Sequence, residues 1–372
     1  MELIPYLKLM VQKNGSDLFF STGAPPNIKA EGRTAPIGET PLGTGAVQTL
    51  AYSIMSDDQV SEFERTMECN LAISIGGLGR FRVNVFRQRG DVAMVIRYIK
   101  GKIPKIEELN LPTMLKDLIM MPRGLILVVG STGSGKSTTL ASMIDHRNES
   151  ATGHILTIED PVEFLHTHKK SVVDQREVGL DTMSYEVALK NAMREAPDVI
   201  LIGEIRDRAT MQHAIAYAET GHLALSTLHA NNANQVLDRI INFFPDTAHH
   251  QLYLDLSLNL KAVISQRLVK TKDGKRTPAV EIMALSAFVS ELIQKGDIHA
   301  VKEAMEQGSQ RGMQTFDQAL FTLYKEGTIT LEEALANADS RNNLSLKIRL
   351  DEGTDTGTET PKDFQIHGEE FI

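Results

Sequence analysis

The chain has 372 residues, 42% of them hydrophobic and 23% charged, enough for a sizeable core and two domains. Its formal net charge is −9 and it has no Trp, which speaks against a dedicated nucleic-acid binder with a basic face and aromatic stacking platforms. The single cysteine, Cys69, excludes an intrachain disulfide framework and a cysteine zinc site; it reads as a small buried hydrophobe in a reducing compartment.

The N-terminal segment MELIPYLKLMVQKNGSDLFF has no basic region followed by an unbroken apolar core, so it does not read as a signal peptide. No stretch reaches the roughly 18 apolar residues that span a bilayer. A cytoplasmic protein without direct membrane insertion is expected. Leu3, Tyr6, Leu7, Met10 and Val11 mark one helical face, and Gly15 stops it. Residues 17–37 read as short strands joined by Gly/Pro turns, and residues 44–67 as helix. Residues 71–98 alternate as LAISI, RFRVNVF and VAMVIRYI. These elements make residues 1–99 a small α+β domain. The segment 100–112, with Gly101, Pro104 and Pro112, reads as an interdomain linker.

From residue 113 to 345 the pattern becomes strand–helix alternation. Strands are expected at 124–129, 154–158, 198–202 and 223–227. Helices are expected at 136–147, 184–195, 207–219 and 233–243. That alternation predicts a parallel sheet with helices on its faces. Residues 247–340 read as mostly helical, interrupted by strands near 266–271 and 279–285. Residues 346–372 read as a tail; from 351 onward it carries seven acids against one Lys and is expected to be disordered.

Residues 130–137 read Gly-Ser-Thr-Gly-Ser-Gly-Lys-Ser and match GxxxxGK[ST] between a predicted strand and a predicted helix. Gly130, Ser131, Thr132, Gly133, Ser134, Gly135, Lys136, Ser137 and Thr138 form the expected ATP-binding segment. Glycines let the backbone curl so that successive N–H groups point inward, and the helix behind adds its positive N-terminus. Lys136 is expected to reach the β- and γ-phosphates and Ser137 to ligate Mg²⁺.

Hydrolysis also needs a held metal and an oriented water. Acids at the carboxyl ends of strands beside the loop suit both tasks. Glu159, Asp160 and Glu163 follow the strand of ILTIEDPVEF, and Glu204 follows that of DVILIGEIRD. Asp198 precedes its strand and is expected at the wrong end. Glu159 and Asp160 are read equally well as caps. His222 and His229 flank strand 223–227; taken alone they read as structural, on opposite faces. His166, His168, His249 and His250 read as surface residues.

Four segments in order, GSTGSGKS, TIEDPVEF, VILIGEIRD and TGHL…TLH, resemble the Walker A, Asp box, Walker B and His box of the secretion ATPase superfamily. GSDLFFSTGAPPNIKAEG and GRFRVNVFRQ resemble segments of that family's first domain, and GMQTFDQAL (312–320) resembles a late segment of its pilus retraction branch. The resemblance spans about residues 1–340. It implies a small PAS-like α+β N-terminal domain and a RecA-like P-loop ATPase domain with a helical C-terminal part. It implies catalytic roles for Glu163, as general base, and for Glu204, as the holder of Mg²⁺ and water. His222 and His229 fall on the His-box positions. Arg82 and Arg97 fall on arginines that reach the phosphates, with nucleotide between the first domain of one subunit and the second domain of another.

The same resemblance implies a hexameric ring that retracts type IV pili for twitching motility. The ring is expected at the cytoplasmic side of the inner membrane, acting on a PilC-like platform protein. Two departures from the principal retraction ATPase, PilT, stand out. Residues 286–296 read SAFVSELIQKG in place of an AIRNLIRE-type motif, and Phe19 stands where a histidine is expected. They imply an accessory motor that depends on PilT. The rival readings are a mainly non-catalytic docking subunit of the PilT motor and a nucleic-acid translocase.

Overall fold

A computed structural model describes residues 2–353 apart from Glu31, Lys100 and residues 309–311. The expected acidic segment 354–372 lies outside the described residues.

The first domain begins with helix α1 (Ile4–Gln12) and strands β1 (Gly15–Phe20), β2 (Asn27–Ala30) and β3 (Arg33–Pro36). Helices α2 (Ala46–Tyr52) and α3 (Asp57–Thr66) follow, then strands β4 (Glu68–Ile75), β5 (Gly79–Gln88) and β6 (Asp91–Ile99). The stretch expected as one helix, 44–67, is thus two. Ser56 divides them: its side chain accepts from the Gln59 N–H while Gln59 returns a bond to the Ser56 N–H, a capping box that starts α3 afresh. The strands form an antiparallel sheet in the order β3-β2-β1-β6-β5-β4. Alternation along β5 buries Phe81, Val83 and Val85 with Leu7 and Met10 of α1 and Leu50 of α2. It leaves Arg80, Arg82 and Asn84 on the other face.

Residues 101–112 are not free chain throughout. Ile106 and Leu111 are buried in the second domain's core beside helix α4 (Met114–Ile119), so the apolar residues of that stretch anchor its far half.

The second domain is built on strand β7 (Gly124–Val129), whose GLILVV is buried at every residue. Helix α5 (Lys136–Ser150) covers one face. Then come β8 (Gly153–Glu159), β9 (Ser171–Glu177), α6 (Tyr185–Ala192), β10 (Val199–Ile202), α7 (Arg208–Glu219), β11 (Leu223–Leu228) and α8 (Ala233–Asn242). Helix α9 (His249–Asn259) leads into β12 (Leu260–Lys270) and β13 (Arg276–Ala284), the two later strands, both longer than expected. The order is β13-β12-β7-β11-β10-β8-β9. Every pairing is parallel except β12 with β13. Continuous apolar strands are what a sheet covered on both faces requires. Strand β9 was missed because SVVDQRE has no such run; it is the sheet's edge, where charged side chains keep access to water.

Helices α10 (Ala287–Lys295), α11 (Val301–Gln307), α12 (Phe316–Lys325), α13 (Leu331–Asn337) and α14 (Arg341–Asp351) complete the chain's described part. The atypical segment SAFVSELIQKG is α10: Ser286 caps it, and Gly296 ends it at φ +74°. Helix α14 runs into the range expected as tail, because Leu344 and Ile348 are buried against Phe316 and Leu320.

Candidate nucleotide site

In a parallel sheet of this kind, ligand sites form beyond the carboxyl ends of the strands. Strand β7 ends at Val129, and residues 130–135 turn tightly into α5. Gly130 has φ +147°, and a Cβ there would lie 2.4 Å from the Gln266 carbonyl oxygen and 2.5 Å from Ser134 Oγ. Only glycine lets β12 press this closely on the loop. Gln266 also accepts a 2.7 Å hydrogen bond from Thr139 Oγ1 in the first turn of α5, locking helix, loop and β12 together.

Lys136 Nζ donates to the Gly130 and Ser131 carbonyls at 2.9 and 3.1 Å. Burial lowers its pKa, and the carboxylates of Glu204 and Glu163 oppose that shift. One lysine charge therefore stands in the field of both predicted acids.

Glu204 follows the end of β10. Its Oε2 takes Nε and Nη2 of Arg206, both at 2.8 Å, and its Oε1 lies 3.0 Å from His229 Nε2 at the end of β11. Neighbouring parallel strands in matched register carry their C-terminal residues to one edge, which is why residues 25 apart in sequence meet. Gly203 just before Glu204 leaves room for Tyr185: a Cβ would stand 2.6 Å from the Tyr185 hydroxyl.

His222 is placed differently. It precedes β11, at the opposite end of a six-residue strand from His229, roughly 20 Å of chain away. Its Nδ1 lies 3.0 Å from Thr220 Oγ1, and its ring meets Tyr217 edge-on at 6.0 Å. The chain does not bring it to the phosphate loop. Asp198 likewise sits at the far end, accepting from the His154 N–H at 2.8 Å.

Glu163 is exposed. The carboxyl that is sunk into the protein is Glu159, the last residue of β8. Burial raises its pKa to about 7, against the hydrogen bonds it accepts from Thr157 at 2.7 Å and Gln175 at 3.4 Å. A cavity of about 40 Å³ adjoins it, lined also by Ser137, His166, Gly203 and Thr227. His166 is therefore not the surface residue its sequence context suggested. It is half-buried, its Nδ1 has no hydrogen-bond partner, and burial lowers its pKa to about 4. No sequence signal marked it; strand β9, which places Gln175 beside it, was itself unrecognised.

The raised Glu159 carboxyl has a measurable consequence. The folded chain holds a proton that the unfolded chain releases above its ordinary value of 4.5. The stabilisation is full below that value and is lost as pH rises through about 7. Without nucleotide or Mg²⁺, wild type is expected to lose up to about 3 kcal/mol more than Glu159→Gln between acid and alkaline buffer. Urea unfolding at each pH reads the difference; equal slopes would mean that Glu159 is ionised throughout.

The donor set fits a phosphate chain with Mg²⁺. Ser134 Oγ is buried without a partner, Ser137 faces the cavity, and the glycine turn leaves backbone N–H groups free to converge. Arg82 and Arg97 are opposite one another on β5 and β6. Arg97 Nε donates to the buried Asp17 at 2.8 Å, and Phe19 lies two residues further along that face of β1. Arg82 lines a cleft of about 350 Å³ between the domains, across from Asp160 and Glu177 of its own chain. In the single chain, then, Arg82 faces its own second domain.

Residues 66–350 match the sequence profile of the family described as Type II/IV secretion system protein. The chain belongs to that family. Within the family it is 54% identical over 356 residues to the Type IV pilus ATPase PilU of Pseudomonas aeruginosa, covering 95% of this chain and 93% of that one. It is 41% identical over 344 residues to the type IV pilus retraction ATPase PilT of the same organism, covering 92% and 100%. Its fold matches the crystal structure of the pilus retraction motor PilT with bound ADP at TM-score 0.87 and 40% identity, over 93% of this chain and 99% of that one. The Legionella pneumophila ATPase DotB matches at TM-score 0.73 and 25% identity, over 90% and 96%.

Proposed function

We propose that this chain is an ATP-hydrolysing motor subunit for type IV pilus retraction, working as a homo-hexamer and depending on PilT. The observation that carries the reading is the convergence of Lys136, Glu163 and Glu204 at one sheet edge, with His229 on Glu204. The likeness to PilU over nearly the whole of both chains supports the choice of pilus work over other tasks of the family.

Residues 130–138 bind the phosphates through backbone N–H groups, and Lys136 places its charge on the β- and γ-oxygens. Ser137 and Glu204 hold Mg²⁺, which neutralises charge on those oxygens when bound. Glu163, exposed and so open to water, takes the proton of the attacking water as general base. His229 donates toward Glu204 and fixes its orientation. Arg82 and Arg97 face the interdomain opening, from where they stabilise charge that develops on transfer. Closure and opening of that cleft, with the short free chain near 101–105 as hinge, turn hydrolysis into movement of a PilC-like inner-membrane platform. No helix of the described residues is long and apolar enough to cross a membrane, so contact with the membrane runs through that partner.

The test is pilus retraction and twitching in cells with and without PilT, carrying this protein as wild type or Lys136→Ala. Wild type is expected to strengthen retraction only when PilT is present, and Lys136→Ala to remove the gain. Retraction by wild type alone would make it a self-sufficient motor. An undiminished gain with Lys136→Ala would favour the docking reading.

A further inference from the structure

The most deeply buried carboxyl outside the phosphate site is Glu281 on β13, 2% exposed. A carboxyl so placed costs free energy unless its oxygens are matched by donors. It pairs across the ladder with Ser265 of β12, and both lie under α8. One oxygen, Oε1, accepts from Ser265 Oγ at 3.0 Å and from the Ala233 N–H at 2.8 Å. Ala233 is the first residue of α8, where N–H groups have no partner within the helix. Burial raises the Glu281 pKa to about 7, opposed by those two hydrogen bonds; Asp339 raises it further and Lys302 lowers it.

Two residues beyond Ser265, Arg267 reaches the same loop. Its Nη2 donates to the Asn231 carbonyl at 3.4 Å and to Asp339 Oδ1 at 2.7 Å, and its Nη1 to the Asn337 carbonyl at 2.7 Å. The β12–β13 hairpin therefore grips the chain between β11 and α8 at two points, one carbonyl and one N–H. That connection spans only residues 229–232 and begins with His229, whose ring is 44% exposed and 3.0 Å from Glu204. A side chain with so much freedom keeps its place only if its backbone is held.

We propose that Glu281 is a positioning residue for hydrolysis: with Ser265 and Arg267 it fixes residues 231–233 and thereby sets His229 against Glu204. The kinetic consequence rests on the ATPase reading above; the anchoring does not. Glu281 touches neither the phosphate loop nor Ser137, so its loss falls on turnover and not on nucleotide binding.

The test uses the full chain with Glu281→Ala, Glu281→Gln and Ser265→Ala, by amide hydrogen exchange and by ATPase kinetics. Glu281→Ala is expected to speed exchange at residues 230–235 by about tenfold without nucleotide. It is expected to lower kcat by roughly 10–100-fold while KM stays within about twofold. Glu281→Gln keeps an oxygen for the Ala233 N–H and is expected to retain most of kcat. Wild-type exchange and kcat in folded Glu281→Ala would overturn the proposal. So would an equal fall in both variants with a parallel rise in KM, which marks a general loss of packing. Should Glu281→Ala fail to fold, Ser265→Ala decides, since it removes one bond to the same oxygen: a kcat reduced by about threefold at unchanged KM supports the proposal, and an unchanged kcat rejects it. If wild type hydrolyses no ATP, the functional reading fails and the exchange result alone judges the anchoring.

Discussion

Lys136→Ala is expected to lower kcat/KM for ATP by at least roughly 10²–10³-fold, the loss typical for one preorganised donor to transition-state charge. The side chain is half-buried and lies in the field of Glu204 and Glu163, so no other cation replaces it in the described geometry. Its two carbonyl partners, Gly130 and Ser131, belong to the loop itself, and both can turn to water when the ammonium is gone. The fold should therefore survive, with unchanged far-UV circular dichroism. A phosphate-release assay on purified protein checks the rate. Turnover near the wild-type rate would remove the phosphate loop from the mechanism.

Glu204→Gln carries the second large effect, a fall in kcat of roughly 10²–10⁴-fold. The amide keeps the shape but leaves Arg206 without its carboxylate and His229 facing a neutral group. Comparison with Glu163→Gln separates the two acids. If Glu204 holds Mg²⁺, its variant needs more Mg²⁺ for half-maximal rate, whereas Glu163→Gln is slow at an unchanged Mg²⁺ requirement. The opposite pattern would exchange their roles. The buried Glu159 supplies a further control: as the carboxyl with the raised pKa beside Ser137, it is the group that would make turnover depend on pH near 7 in place of Glu163.

Most of the second domain could be read along the chain because its signals are local. The expected strand 124–129 coincides with β7, and the start of α5 at Lys136 follows from eight contiguous residues whose glycines and helix start dictate the turn. Helices α7, α8 and α10 begin after Asp207, Asn232 and Ser286, whose side chains accept a first-turn N–H, a signal that needs no tertiary contact. Failures fell where the local signal is weak. The edge strand β9 has two apolar residues, and the break between α2 and α3 rests on one serine.

The sequence by itself determined that a strand, a phosphate loop and a helix follow one another, and which acids stand after buried strands. It could not decide which of those acids is buried, because Glu159 and Glu163 differ only in what the fold packs around them. Nor could it place the histidines. His222 and His229 share one motif, yet a six-residue strand holds them at opposite ends of the sheet, and only His229 reaches Glu204. The grip of Glu281 on Ala233 joins residues 48 apart, across a hairpin and a helix start. Such contacts depend on strand order and register, which are settled by burial of both sheet faces at once and leave no mark in any one segment of chain.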